Sequence, residues 1–143
     1  MPRQLAMLLV GVAATAAVAG CHRARAATPS GPAALEQSFG VRVEGIRRSA
    51  GGYMLDFRFR VLDAEKARPI FDRRVIPHLE HARSGARLTV PSSPKIGPMR
   101  SRTGGPTVPR SYILFANPGQ LVSPGDEVAV VVGAFRADKL VVQ

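Results

Sequence analysis

The stretch YMLDFRFRVL, residues 53–62, alternates apolar and polar side chains more strictly than any other part of the chain. Successive side chains of a β-strand point to opposite faces, so this period of two indicates a strand and not a helix. We expect the apolar face to lie at the centre of the core. We expect the polar face to point outward, with an ion pair between Asp56 and its neighbouring arginines. The predicted inward residues are Tyr53, Leu55, Phe57, Phe59 and Val61, and the outward ones are Met54, Asp56, Arg58 and Arg60.

Other stretches carry strand patterns on both sides of this one. Residues 41–46 alternate, and a turn with two glycines at 49–52 joins them to the first stretch as a predicted hairpin. Residues 112–116, YILFA, are apolar on both faces, which predicts a central strand. The chain closes with two more predicted strands, residues 127–133 and 135–142.

The middle of the chain is less regular. Residues 63–74 break the alternation, and Pro69 limits them to a single helical turn or a loop. A proline interrupts the strand pattern of residues 75–81, which favours an edge strand or a bulge, and residues 87–90 form another short strand. Residues 91–109 contain five of the twelve prolines and no core pattern, so we expect a long loop.

These elements add up to about seven short strands with no long helix, which is typical of an all-β fold. The most economical arrangement is a single antiparallel β-sandwich. The ending, Pro124-Gly125-Asp126 followed by a strand, a short turn and a last strand, resembles the final hairpin of immunoglobulin-like and fibronectin-type domains of bacterial envelope proteins. That likeness concerns the fold alone, because such sandwiches carry many unrelated functions.

The beginning of the chain has the pattern of an export signal. Arg3 precedes an uncharged apolar run over residues 5–19. The next residues complete the string Val18-Ala19-Gly20-Cys21, which resembles the bacterial lipobox, and Cys21 is the single cysteine of the chain. The resemblance implies that the sulfur of Cys21 receives a diacylglycerol and that cleavage occurs just before it. The predicted parts are then a lipoprotein signal peptide (1–20), a flexible tether (21–34) and a sandwich domain (35–143).

The lipobox resemblance also implies a location. The protein would be lipid-anchored in the cell envelope on the periplasmic side, and His22 in place of the inner-membrane retention aspartate favours the outer membrane. Three alternatives remain open: cleavage after Ala26 to give a free periplasmic protein, an uncleaved membrane anchor, and a chance apolar helix in a cytoplasmic protein. Arg23 and Arg25 follow the apolar run and oppose translocation.

The charge of the chain predicts an anionic partner. Twenty Lys and Arg residues against ten Asp and Glu give a formal net charge of +10, and such a surface attracts anions. Within the long predicted loop, Lys95, Arg100 and Arg102 are the candidate partner-binding residues, and Arg58 and Arg60 could also hold an anionic polymer. Partners would be the membrane, through lipid on Cys21, and an envelope protein or an anionic polymer. No nucleic-acid-binding motif is present, and nucleic acid is not expected as a partner.

Catalytic chemistry is poorly represented in the sequence. There is no Gly-x-Ser-x-Gly motif, and the one cysteine is assigned to lipid. His78 and His81, with Glu80 between them, are candidate ligands for copper or zinc, although residues three apart on a strand face opposite ways. We therefore expect no enzyme and no cofactor. The predicted function is a non-catalytic envelope lipoprotein that binds or assists another envelope component, the alternative being a metal-binding or anionic-polymer-binding periplasmic protein.

Overall fold

The computed structural model of the chain describes residues 29–105 and 107–143. The predicted signal peptide, Cys21 and most of the predicted tether lie outside the described residues. The described part contains two helices and nine strands, two of them only two residues long. They are α1 (Pro32–Phe39), β1 (Val41–Ser49), β2 (Met54–Val61), α2 (Ala64–Phe71), β3 (His78–His81), β4 (Arg87–Thr89), β5 (Ser92–Ser93), β6 (Gly97–Pro98), β7 (Arg110–Ala116), β8 (Glu127–Val132) and β9 (Phe135–Val141).

Seven of these strands form two antiparallel sheets, which confirms the all-β sandwich. The first sheet has the order β1-β2-β7, and the second has the order β4-β3-β8-β9. In chain order, β1, β2 and β7 correspond to strands A, B and E of immunoglobulin domains, and β3, β8 and β9 correspond to strands C, F and G. The strand β4 pairs with β3 and is the fourth strand of the second sheet. The remaining two strands, β5 and β6, pair with each other in a small hairpin within the predicted loop.

The core lies between the two sheets, and β2 supplies its centre. Phe57 and Phe59 are almost fully buried, and their rings stack at 5.5 Å between centroids. Phe115 of β7 lies directly opposite Leu55 in the register and is also fully buried. The second sheet contributes the buried apolar side chains Leu79, Leu88, Val128, Val130, Val132, Phe135 and Ala137. Burying one such side chain contributes about 1.5–3 kcal/mol to folding, so the alternation of β2 supplies a large part of the stability.

Two details of the predicted first sheet are wrong. Tyr53 is 60% exposed because it closes the turn before β2, and its backbone N–H donates to the carbonyl of Ala50. The strand β7 is not central: it pairs only with β2 among the strands of its sheet. The segment around Arg100 covers its other side, since Leu114 N–H donates to the carbonyl of Met99 and Ser101 N–H donates to the carbonyl of Tyr112.

The connection from β2 to β3 contains a helix and not the single turn that we expected. The Asp63 carboxylate caps α2 by accepting hydrogen bonds from the backbone N–H groups of Glu65 and Lys66 at 3.0 and 3.2 Å. Pro69 is tolerated inside α2 because it removes only one hydrogen bond, near the end of a short helix. Ile70 and Ala67 are buried, so packing against the core compensates for the lost bond.

The folded domain begins earlier than the sequence indicates. The helix α1 starts at Pro32, so the last three residues of the predicted tether, 32–34, belong to the domain. Leu35 and Phe39 are its buried residues, and the Phe39 ring meets the Phe135 ring edge-on at 5.4 Å. Because α1 contacts both β1 and β9, it covers the side of the sandwich between these two strands.

One buried amide holds the connection from β7 to β8. Asn117 is fully buried, and its Nδ2 donates to the carbonyls of Gly52 and Val122, both at 2.9 Å. Its Oδ1 accepts from the N–H of Val122, also at 2.9 Å. This side chain therefore ties the turn before β2 to the segment that enters the second sheet.

We expect Asn117→Ala to lower the free energy of unfolding by about 2–3 kcal/mol, because buried polar groups would lose their partners. Asn117→Asp should cost at least as much, since a carboxylate cannot donate to the two carbonyls and would be buried as a charge. Urea unfolding followed by circular dichroism would measure both losses. A loss within about 0.5 kcal/mol, as is usual for exposed positions, would contradict this role.

Candidate anion-binding surface

The outer side of the first sheet carries five arginines, which we call the arginine face: Arg42, Arg47, Arg58, Arg60 and Arg110. The strand register places Arg42 opposite Arg60, and Arg60 opposite Arg110. Three arginines therefore stand side by side across β1, β2 and β7, about 4.8 Å apart from strand to strand. Like charges directly opposite each other on neighbouring strands destabilise a sheet. The arginine row is therefore tolerated in the fold only with carboxylates nearby.

A buried carboxylate anchors the centre of the arginine face. Asp56 is only 4% exposed, and its oxygens accept from Arg58 Nε at 2.7 and 2.9 Å and from Arg47 Nη2 at 3.5 Å. The hydrogen bond to Asp56 raises the pKa of Arg58, whose guanidinium also lies 5.5 Å from the centre of the Tyr112 ring. The expected ion pair thus exists, but the sequence did not show that the arginine side chains bury its carboxylate.

The other carboxylates near the arginine face do not neutralise it. Glu44 lies 3.4 Å from Arg60 and 3.6 Å from Arg110, and Glu36 lies 2.6 Å from Arg42. With the buried Asp56, three carboxylates lie close to the five guanidinium groups of the arginine face. The surface therefore keeps an excess of positive charge on exposed side chains.

A β-bulge shapes a shallow basin on the same surface. The register of β1 slips between Val43 and Gly45, and Gly45 has a φ of 142°, a region that favours glycine. The basin has a volume of about 300 Å³, and Arg47, Arg58 and Arg110 are among the residues that line it. Two carboxylates, Glu44 and Asp56, also line the basin, so an anionic group there would meet three guanidinium groups and two like charges.

The three candidate cations of the predicted loop have different roles. Arg100 is buried, and its guanidinium donates to the carbonyls of Asp72 and Val75 at 2.7 and 3.1 Å. Burial lowers the pKa of Arg100. This arginine therefore joins the end of α2 to the loop, and backbone carbonyls already accept its guanidinium hydrogens. Lys95 and Arg102 are exposed, as the prediction requires.

The expected loop contains the β5–β6 hairpin, so it is more ordered than its composition suggests. A groove of about 350 Å³ lies between the end of α2 and the β5–β6 hairpin, and we call it the α2 groove. Arg102 lines it, and its guanidinium donates to the carbonyl of Ile96 at 2.7 Å. The other lining residues are Phe71, Arg73, Ile96, Gly97, Pro98 and Arg100.

The two candidate metal ligands of β3 are not brought together. His78 is half-buried on the outer face, and its Nε2 lies 3.3 Å from Glu80. His81 is 3% exposed on the inner face, where its Nδ1 lies 2.8 Å from the hydroxyl of Ser84. Within residues 29–105 and 107–143, no group of three or more His, Cys, Asp or Glu side chains could hold a metal ion.

A polar cluster that the sequence did not indicate joins two turns at the opposite end from α2. His81 Nε2 lies 3.3 Å from the buried carboxylate of Asp126, which also contacts Arg83 and accepts from Ser123 N–H at 2.8 Å. The Ser84 hydroxyl accepts from the N–H of Ala86, inside the same turn, at 3.3 Å. The role of this cluster is therefore to hold the two turns together.

Neither described helix is both long and apolar enough to cross a membrane. Comparison with known protein families, curated proteins and solved structures gave no match. By its fold, the chain is an antiparallel β-sandwich with an arginine-rich outer sheet face. Such sandwiches carry many unrelated functions, so a function can be proposed only from the residues of this chain.

We expect stability to fall in acid through the cluster around Asp126. The N–H of Ser123, with Arg83 and His81, lowers the pKa of Asp126 in the folded state. The unfolded chain then binds more protons near pH 4, so this stabilisation is present above about pH 4 and is lost as the pH falls through the folded pKa. Asp126→Asn should lower stability at pH 7 and flatten its decline in acid.

Urea unfolding at a series of pH values would measure this change. Glu127→Gln is the matched control, because Glu127 is exposed and adjacent in sequence. An acid decline that is flattened equally by both variants would contradict the assignment to Asp126.

Proposed function

We propose that this chain is a lipid-anchored, non-catalytic protein of the bacterial cell envelope that binds an anionic polymer through its arginine face. The observation that carries the binding role is the row formed by Arg42, Arg60 and Arg110 across three neighbouring strands. Glu36 and Glu44 pair with the three arginines of the row and offset part of their repulsion, and an anionic partner would compensate the positive charge that remains. This residual charge on exposed, aligned guanidinium groups supports a binding role.

The geometry of the surface suits an extended polymer. The row runs perpendicular to the strands, and Arg58 and Arg47 continue the positive surface along them, beside the basin. A guanidinium group binds a carboxylate, sulfate or phosphate group through two parallel hydrogen bonds. A polymer that carries such groups at intervals can therefore bind several arginines at once. The long side chains of exposed arginines also adapt to polymer segments of different conformation.

The anchor is supported by the lipobox resemblance at Val18-Ala19-Gly20-Cys21. A single acyl chain binds a membrane marginally, whereas two or more hold a protein there stably. The residues after Cys21, HRARAATPSG, would link the lipid to α1, and a flexible tether of about this length spans on the order of 20 Å. The domain would thus stay within reach of polymers at the membrane surface, and we favour the outer membrane.

Removing two arginines of the row tests the binding role. We expect Arg60→Gln with Arg110→Gln to weaken binding to heparin, used as a model polyanion, roughly 10- to 30-fold, from about 1 kcal/mol per lost contact. The substitution removes like-charge repulsion but also the ion pairs of both arginines with Glu44, so the free energy of unfolding should change by less than about 1 kcal/mol. Affinity chromatography and calorimetry at several salt concentrations would measure the binding.

The matched control for this test is Arg87→Gln with Lys139→Gln, which removes the same charge from exposed positions of the second sheet. The control should weaken heparin binding only slightly, by its general charge effect. An equal loss in both double variants would show that net charge alone attracts heparin and would overturn the proposed site.

The anchor can be tested by intact mass. In a bacterium that processes lipoproteins, we expect the membrane fraction to contain a chain that begins at Cys21 and carries the mass of diacylglycerol. Cys21→Ser should abolish this species. Recovery of wild-type chain from the cytosol with residues 1–20 intact and a free thiol would contradict the anchor without affecting the heparin result.

A further inference from the structure

Two of the connections between the sheets meet at one end of the sandwich. The segment 62–77 leads from β2 to β3, and the segment 90–109 leads from β4 to β7. The strand register places the ends of β2 and β4 and the starts of β3 and β7 at this end. We call it the α2 end, and Arg100 fastens its two segments together through the carbonyls of Asp72 and Val75.

The α2 end exposes apolar side chains that the core does not use. Ile76 is 76% exposed and Ile96 is 64% exposed, and Leu62 and Val108 are about half exposed. These four are the majority of the large apolar side chains that are exposed among the described residues. Exposed apolar groups on a monomer often mark a contact with a membrane or another protein.

Exposed basic side chains lie on the same two segments as these apolar groups. The two segments carry six exposed Lys and Arg residues: Lys66, Arg68, Arg73, Arg74, Lys95 and Arg102. The three acidic residues of the segments have local contacts, because Asp63 caps α2, Glu65 pairs with Arg68 and Asp72 accepts from the N–H of Arg74. The end therefore presents a net positive charge to an approaching partner.

The α2 groove brings the two kinds of side chain together. Arg102 donates to the carbonyl of Ile96, which holds a guanidinium beside this exposed residue of the hairpin. Arg73 lines the groove from the side of α2, next to the ring of Phe71. Apolar side chains flanked by cations suit an anionic bilayer. Its head groups attract the cations, and its acyl region buries the apolar side chains.

We infer that the α2 end docks on an anionic lipid surface and inserts Ile76 and Ile96 past the head groups into the outer acyl region. This contact goes beyond the proposed function, since it involves the folded domain itself and not the lipid on Cys21. An acidic protein with an apolar groove is the competing partner, and it predicts no change at this end when vesicles are added. A membrane contact would also fix the orientation of the arginine face relative to the bilayer.

A position-specific fluorescent probe tests the inference in the full chain. In Cys21→Ser protein, Ile96→Cys provides a single thiol for an environment-sensitive dye, and Tyr53→Cys provides the matched control at the opposite end. With vesicles that contain phosphatidylglycerol, we expect a blue shift of the dye at position 96 and little shift at position 53. Equal shifts at both positions, or no shift at 96, would overturn the inference.

A second set of variants separates this contact from the polymer site. In the chain labelled at position 96, Arg73→Gln with Arg102→Gln should reduce the shift by at least half, whereas Arg87→Gln with Lys139→Gln should leave most of it. Ile76→Ser with Val108→Ser should also reduce the shift while heparin binding stays at the wild-type level. A shift that survives both α2-end variants would refute the docking surface and would leave the arginine face unaffected.

Discussion

The structure depends on the central position of β2, which is hydrogen-bonded on one side to β1 and on the other to β7. Because side chains alternate along a strand, this position sends Phe57 and Phe59 into the core and Asp56, Arg58 and Arg60 to the outer face. The same strand therefore supplies the main apolar burial of the sandwich and the middle of its cationic surface. A shift of one residue in its register would exchange the two faces and destroy both.

The outer face shows how stability and charge are balanced. Asp56 is buried among arginine side chains and fixes Arg58 and Arg47, while Glu44 lies beside the row from its place at the bulge of β1. These carboxylates offset only part of the repulsion between five guanidinium groups. The remaining positive charge is exposed on side chains that a rigid sheet holds in one row, so only the side chains need to reorder on binding.

Residue chemistry alone does not establish which candidate residues are exposed. Lys95 and Arg102 are exposed in the predicted loop region, but Arg100 is buried, since backbone carbonyls of the α2 connection accept its guanidinium hydrogens. His78 and His81, the candidate metal ligands, lie on opposite faces of β3, as the alternation of a strand requires. The cluster around Asp126 was not predicted, because its members come together only when two distant turns meet.

The amino-acid sequence by itself determined the fold class, because the period of two in residues 53–62 and the turn residues between strands depend only on local chemistry. It also determined the excess of arginine and the lipobox-like string that ends at Cys21. Only the tertiary structure decided which arginines are neighbours. Arg42, Arg60 and Arg110 are far apart in the chain, and their alignment follows from the pairing register of three strands, a long-range property that no local pattern encodes.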